Sequence, residues 1–288
     1  MLAATYLNME LNTEIKGQGY PILCLHGHPG CIASMSVFTD YLSRQYQTIT
    51  PDLRGYGKSR YQQNFVMQDH LTDIIALLDK HQIKRCLILG WSLGGIIAME
   101  LALAQPERFS GMILIATAAH PLSSHPKETW QDLLFTGVGG IVNYLLPAWQ
   151  WNIDTFGKRS LFRYLISKHQ PESYRYLAKE GVPAYLQTSK AANTALTTAI
   201  GQGYNRLSDL HQIDIPCLML SGEDDRHITA YASQKTAQHL KNCEYKNYPQ
   251  VAHLFPWEIP NLVLKDIQQW LDCDRFGVHQ PKRSQIDR

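Results

Sequence analysis

This 288-residue chain has no stretch near the ~20 consecutive apolar residues that a membrane-crossing helix needs, so no integral membrane segment is expected. Residues 1–18 lack both a basic start and an apolar centre; no secretory signal peptide is expected, and the protein is expected to be cytoplasmic. Cysteine is sparse and scattered, at positions 24, 31, 86, 217, 243 and 273, with no Cys-x-x-Cys pair. Cys24, Cys86 and Cys217 sit inside apolar runs, where cysteine behaves as a small buried hydrophobe; the pattern suits reduced thiols in a reducing compartment. An excess of charge is also missing. The formal net charge of +2 gives no electrostatic case for a nucleic-acid partner. The one basic cluster, around Lys282 and Arg283, lies in a polar tail, 274–288, that is expected to be flexible. There is no internal repeat and no low-complexity tract.

What is present is apolar residues in short, regularly spaced runs. At 44% hydrophobic content the chain can bury one large core, or a core with an inserted subdomain. Strands are expected at 21–25, 47–50, 85–89, 111–115, 217–220 and 244–248, with a hairpin-like pair of edge strands over 6–15. Helices are expected at 67–81, from 96 to 104, at 231–240 and at 262–271. Short apolar strands alternating with helices give an α/β fold, a mostly parallel sheet flanked by helices, with its ligand site at the C-terminal strand ends. The alternation stops over 118–205, which is helical in pattern and rich in aromatics, and is expected to be a helical cap inserted into a core of 1–117 and 206–273. Residues 138–149 are apolar enough to be a buried helix, or to meet lipid or a carrier protein.

The loops that follow the strands carry the chemistry. Gly90-Trp91-Ser92-Leu93-Gly94-Gly95 joins a buried strand to a buried helix, the setting of a nucleophile elbow. Side chains at 90 and 94 would collide with neighbouring backbone, and the strained turn lifts the Ser92 hydroxyl to a helix N-terminus that favours a developing anion. The loop His26-Gly27-His28-Pro29-Gly30 follows the first buried strand. Acyl transfer needs two donors on the oxyanion: the N–H of Leu93 is one candidate and the N–H of His28 the other. His26 and His28 lie two apart, but no third ligand has suitable spacing for a metal, and neither metal nor cofactor is expected. After the 217–220 strand comes Ser221-Gly222-Glu223-Asp224-Asp225-Arg226, whose carboxylates could orient an imidazole. After the last strand, Ala252-His253-Leu254 supplies a histidine that could take the serine proton. Serine, acid, histidine is the chain order of nucleophile-elbow enzymes.

With these residues assembled, the sequence from about 16 to 271 resembles the α/β-hydrolases. The resemblance rests on His26-Gly27-His28-Pro29-Gly30, on Asp52-Leu53-Arg54-Gly55-Tyr56-Gly57-Lys58-Ser59, on the elbow, on Gln105-Pro106-Glu107-Arg108-Phe109, on Gly222-Glu223-Asp224-Asp225 and on Ala252-His253. It implies Ser92 as nucleophile, His253 as base and, because the family's acid commonly lies three residues after the turn glycine, Asp225 rather than Asp224 as orienting acid. Arg54 reads as an ion-paired structural residue. Haloalkane dehalogenases and epoxide hydrolases carry Asp where this chain has Ser92, and proline iminopeptidases carry Gly where it has His28. The elbow is similar to those of pimeloyl-ACP methyl ester carboxylesterases and haloperoxidase-like esterases. The expected activity is hydrolysis of a carboxylic ester or thioester through an acyl-enzyme, on a small substrate with an apolar acyl group or ring. The same residues leave open C–C bond hydrolysis and a receptor-like role with little turnover.

Overall fold

The structure is a computed structural model that describes residues 9–273. Seven strands form one sheet: β1 (Thr13–Lys16), β2 (Pro21–Leu25), β3 (Gln47–Pro51), β4 (Cys86–Trp91), β5 (Phe109–Ile115), β6 (Cys217–Gly222) and β7 (Cys243–Tyr248). Their spatial order is β1-β3-β2-β4-β5-β6-β7. Only β1 runs antiparallel to its neighbour, pairing Thr13 with Pro51 and Lys16 with Thr48. The α/β architecture is thus a mostly parallel sheet, with β4 at its centre.

The helices that cover it are α1 (Ser36–Leu42), α2 (Met67–Lys80), α3 (Leu93–Ala104), α9 (Ala230–His239), α10 (Phe255–Glu258) and α11 (Pro260–Leu271). Between β5 and β6 the chain runs instead through α4 (Trp130–Leu145), α5 (Gln150–Thr155), α6 (Pro171–Tyr176), α7 (Val182–Leu186) and α8 (Lys190–Gly201), with short 3₁₀ and π turns between them. The inner strands β2, β4, β5 and β6 are apolar on both faces because both are packed. Leu23, Leu25 and Ile88 face Ile74 and Leu78 of α2 and Ile97 and Leu101 of α3. Ile22, Cys24, Leu87 and Leu89 face Phe38 and Leu42 of α1 and Val263 and Ile267 of α11. Cys24, Cys86 and Cys217 are buried free thiols. Desolvation pushes the Cys24 and Cys86 thiols up to about 12.

Of the hairpin expected over 6–15, only the second part falls among the described residues. Among the described residues only β1 forms there, and its partner is β3. The residues before it are held by side chains: the Met9 N–H donates to Asp73 (3.0 Å), and the Asn12 N–H and side-chain amide donate to Ser59 (2.9 Å) and Asp52 (2.8 Å). Those bonds satisfy the backbone without a second strand. Residues 6–8, and the 274–288 tail expected to be flexible, lie outside the described residues.

Arg54 is buried against Asp73, donating from Nε (2.7 Å) and Nη2 (2.5 Å), with its guanidinium 4.8 Å from the Tyr61 ring. This pair ties the loop after β3 to α2. No helix among the described residues is long and apolar enough to cross a membrane.

Candidate active site

The site forms where β4 turns into α3. Ser92 adopts φ 52° and ψ −114°, a left-handed backbone that a non-glycine residue holds only when its surroundings force it. Here they do. The Ser92 N–H donates to the Ile115 carbonyl of β5 (2.9 Å). Its carbonyl accepts from the Thr117 hydroxyl (2.8 Å) and the Gly95 N–H (2.9 Å). A Cβ on Gly94 would stand 2.1 Å from the Leu25 carbonyl oxygen, and one on Gly90 would stand 2.4 Å from that of Gly94. The turn closes at this radius only with glycine at both places. Helix α3, buried at nine of its twelve residues, fixes the direction of the turn.

The acid and the histidine arrive from β6 and β7. His253 Nδ1 lies 2.8 Å from Asp225 Oδ2. The other carboxylate oxygen, Oδ1, accepts the N–H groups of His227 (2.8 Å) and Ile228 (2.9 Å). A carboxylate so occupied is an acceptor, and the His253 ring presents Nδ1 to it. Asp224, one residue earlier, points elsewhere: its Oδ2 accepts from the Ser167 hydroxyl (2.9 Å) at the surface. Ser92, Asp225 and His253 are all buried. The Trp91 ring links two of the loops, with its centroid 5.9 Å from that of His253 and its edge against Gly27.

The loop after β2 lies against the elbow. A Cβ on Gly27 would fall 3.1 Å from Ser92 Cβ, so glycine is what lets this backbone approach the serine. His28 follows Gly27 in this loop, and Leu93, directly after Ser92, is the first residue of α3, where its N–H has no carbonyl within the helix to receive it. The two imidazoles of the loop are engaged separately. His26 Nε2 accepts the Leu53 N–H (3.0 Å) while Nδ1 faces the Gly27 carbonyl (2.8 Å). His28 Nδ1 is 2.9 Å from the Tyr56 hydroxyl. Neither ring pairs with the other around a common centre, and the lone pair of His26 is already used. Burial pushes the His28 imidazole down to about 4, so it is neutral at physiological pH.

Two residues beside the site carry no signal in the sequence. Tyr56, fully buried, fixes the His28 ring; it belongs to a loop whose motif names it without giving it a partner. His227 packs edge-on against His253, with centroids 4.8 Å apart. It is exposed, yet loss of water around the ring, and then His253, His125 and His28, push it below the usual imidazole range. No spacing rule would have selected it.

A family model described as alpha/beta hydrolase fold matches residues 20–260 of this chain. The pimeloyl-[acyl-carrier protein] methyl ester esterase of Aeromonas salmonicida is 33% identical over 227 residues, covering 75% of this chain and 82% of that protein. An uncharacterised hydrolase of Bacillus subtilis is 23% identical over 256 residues, covering 87% and 89%. Among solved structures, a thermophilic esterase from Thermogutta terrifontis superposes with a TM-score of 0.67 at 21% identity, over 91% of this chain and 92% of that one.

Proposed function

The chain belongs to the α/β-hydrolase fold family and is a hydrolase of that fold; from that premise we propose that it cleaves a carboxylic ester or thioester through an acyl-enzyme on Ser92. His253 Nε2 takes the Ser92 proton as the oxygen attacks the carbonyl carbon. The resulting oxyanion is held by the N–H groups of His28 and Leu93. Collapse of this intermediate breaks the bond to the alcohol or thiol, which leaves with the proton from His253. Water, deprotonated in turn by His253, then attacks the acyl-enzyme and releases the acid. Asp225 keeps the imidazole in the Nδ1–H tautomer and stabilises its protonated form.

The observation that supports this reading best is the His253–Asp225 contact at 2.8 Å, with the second carboxylate oxygen capped by two backbone N–H groups. A hydrolysed ester needs no further group. Esterase activity among relatives, such as the Aeromonas salmonicida protein, points the same way. Ser92→Ala removes only the nucleophile, and kcat on p-nitrophenyl esters should fall on the order of 10³-fold or more with the fold intact. A purified variant that keeps near-normal turnover would place the chemistry on another residue.

A further inference from the structure

Helix α4 is inside out. Its buried residues are Asp132, Gly139 and Asn143. Large side chains face solvent instead: Trp130, Leu133, Leu134, Ile141, Tyr144 and Leu145, exposed by between 49 and 71%. Their spacing places all six along one stripe of the helix. The orientation is enforced from inside. Asp132 accepts from Thr129 (2.9 Å) and Arg163 (2.8 Å), Asn143 donates to the Tyr174 carbonyl (2.7 Å), and the Gly139 carbonyl accepts from Asn152 (3.0 Å). Rotating the apolar stripe inward would strand every one of those groups. The stripe continues past the helix. Trp149 and Trp151 are exposed, with ring centroids 4.9 Å apart and planes tilted by 32°, and Trp151 also meets Phe156, which meets Phe135 of α4. A contiguous apolar face of this kind requires a partner.

The geometry points to the surface of an anionic phospholipid bilayer as that partner, with α4 lying in the headgroup plane. Three observations select it. Aromatics stand at the two ends, Trp130 at one and Tyr144, Trp149 and Trp151 at the other, with aliphatic side chains between them. That is the distribution of a helix at a lipid–water boundary. The charge is complementary. Residues 118–205 carry eight Lys and Arg against five Asp and Glu, whereas the rest of the chain carries nineteen against twenty. Lys127 before the stripe is offset by its exposed neighbour Glu128, but exposed Lys158 and Arg159 lie in the turn Gly157–Arg159, which packs on α4. An isologous contact with a second copy would bring these cationic surpluses face to face. Residues 274–288 are a poor cover, with only Phe276, Val278 and Ile286 as large apolar side chains, and residues 1–8 are only eight long. The segment that leads into α4 also borders the candidate site, since His125 packs on His227, and His227 on His253. Lipid contact would thus lie next to the strand ends.

The test uses the full chain and flotation with vesicles of phosphatidylcholine alone, or of phosphatidylcholine with about one-third phosphatidylglycerol. The wild-type chain should float with the anionic vesicles, roughly tenfold more tightly than with the neutral ones. Its tryptophan emission should shift to the blue. L134E together with I141E changes only exposed positions. It should weaken flotation by roughly tenfold or more while hydrolysis of a small soluble ester is unchanged. Ser92→Ala should float like the wild type, which separates this proposal from the acyl-enzyme reading. Absence of flotation with anionic vesicles, or equal flotation by the double variant, would overturn it. So would a wild-type dimer in sedimentation that the double variant turns into monomer, since the face would then belong to a second copy.

Discussion

Asp224 and Asp225 are adjacent, chemically identical and on the same strand-end turn, yet their surroundings separate them. Asp225 is buried, meets His253 and accepts two backbone N–H groups; Asp224 is exposed and meets the Ser167 hydroxyl. Only the first can decide which nitrogen of an imidazole carries the proton. Asp225→Asn replaces an acceptor with a group that can also donate, and the opposite tautomer of His253 becomes competitive. kcat should fall on the order of 10²–10⁴-fold. Asp224→Asn should change it by no more than a few-fold, because a surface hydrogen bond is all that is altered. Steady-state kinetics on one ester distinguishes the two variants, and equal losses would move the acid or make the pair act together. The sequence narrowed the acid to a turn, and the family spacing chose the second aspartate. The reason for the choice, which oxygen faces which N–H, exists only in the folded loop.

At the level of elements, the strand–turn–helix of β4 and α3 was the most legible part of the chain. Its apolar run, paired glycines and buried helix all demand the same conformation. The core strands were legible for the same reason: fully buried parallel strands are apolar on both faces, so each appears as a compact run. The N-terminal segment was not, because Asn12 and Met9 satisfy their backbones through Asp52, Ser59 and Asp73, residues distant in sequence. Helix α1, at seven residues, is too short for its periodicity to stand out. The segment between β5 and β6 was legible only in part. The segment is rich in aromatics, and Trp149 and Tyr185 are 45 and 69% exposed. Periodicity reveals a stripe without revealing which way it faces. The Arg54–Asp73 pair shows what joins elements once they exist. Arg54→Leu alone leaves a buried carboxylate without its partner and should cost about 3–5 kcal/mol. Arg54→Met with Asp73→Leu removes both charges and should recover much of that loss. Urea denaturation of the three proteins measures it, and a double variant as unstable as the single one would mean that the pair contributes through its shape rather than its charge.

For the molecule as a whole, several imidazoles are held neutral by burial, and this ties stability to pH. His70 is the clearest. It is fully enclosed, its ring lies 6.2 Å from Tyr56 and 5.2 Å from Phe65, and neither ring nitrogen has a hydrogen-bond partner among the described residues. Burial, then the charges of His26 and Arg54, push it from the usual 6.5 down to about 3. His26 and His28 are shifted in the same direction. Between those values the unfolded chain binds a proton that the folded chain refuses, so stability is complete above about pH 6.5 and drains away as the solution is acidified. At pH 5.5 the share from His70 alone is on the order of 1 kcal/mol. His70→Leu abolishes that proton uptake. The variant should therefore lose on the order of 1 kcal/mol less than the wild type between pH 7.5 and 5.5, whatever its absolute stability. Chemical denaturation at the two pH values is sufficient, because packing changes common to both cancel in the difference. An equal loss in the two proteins would mean that His70 takes up its proton in the folded state, with water or a carbonyl reaching the ring.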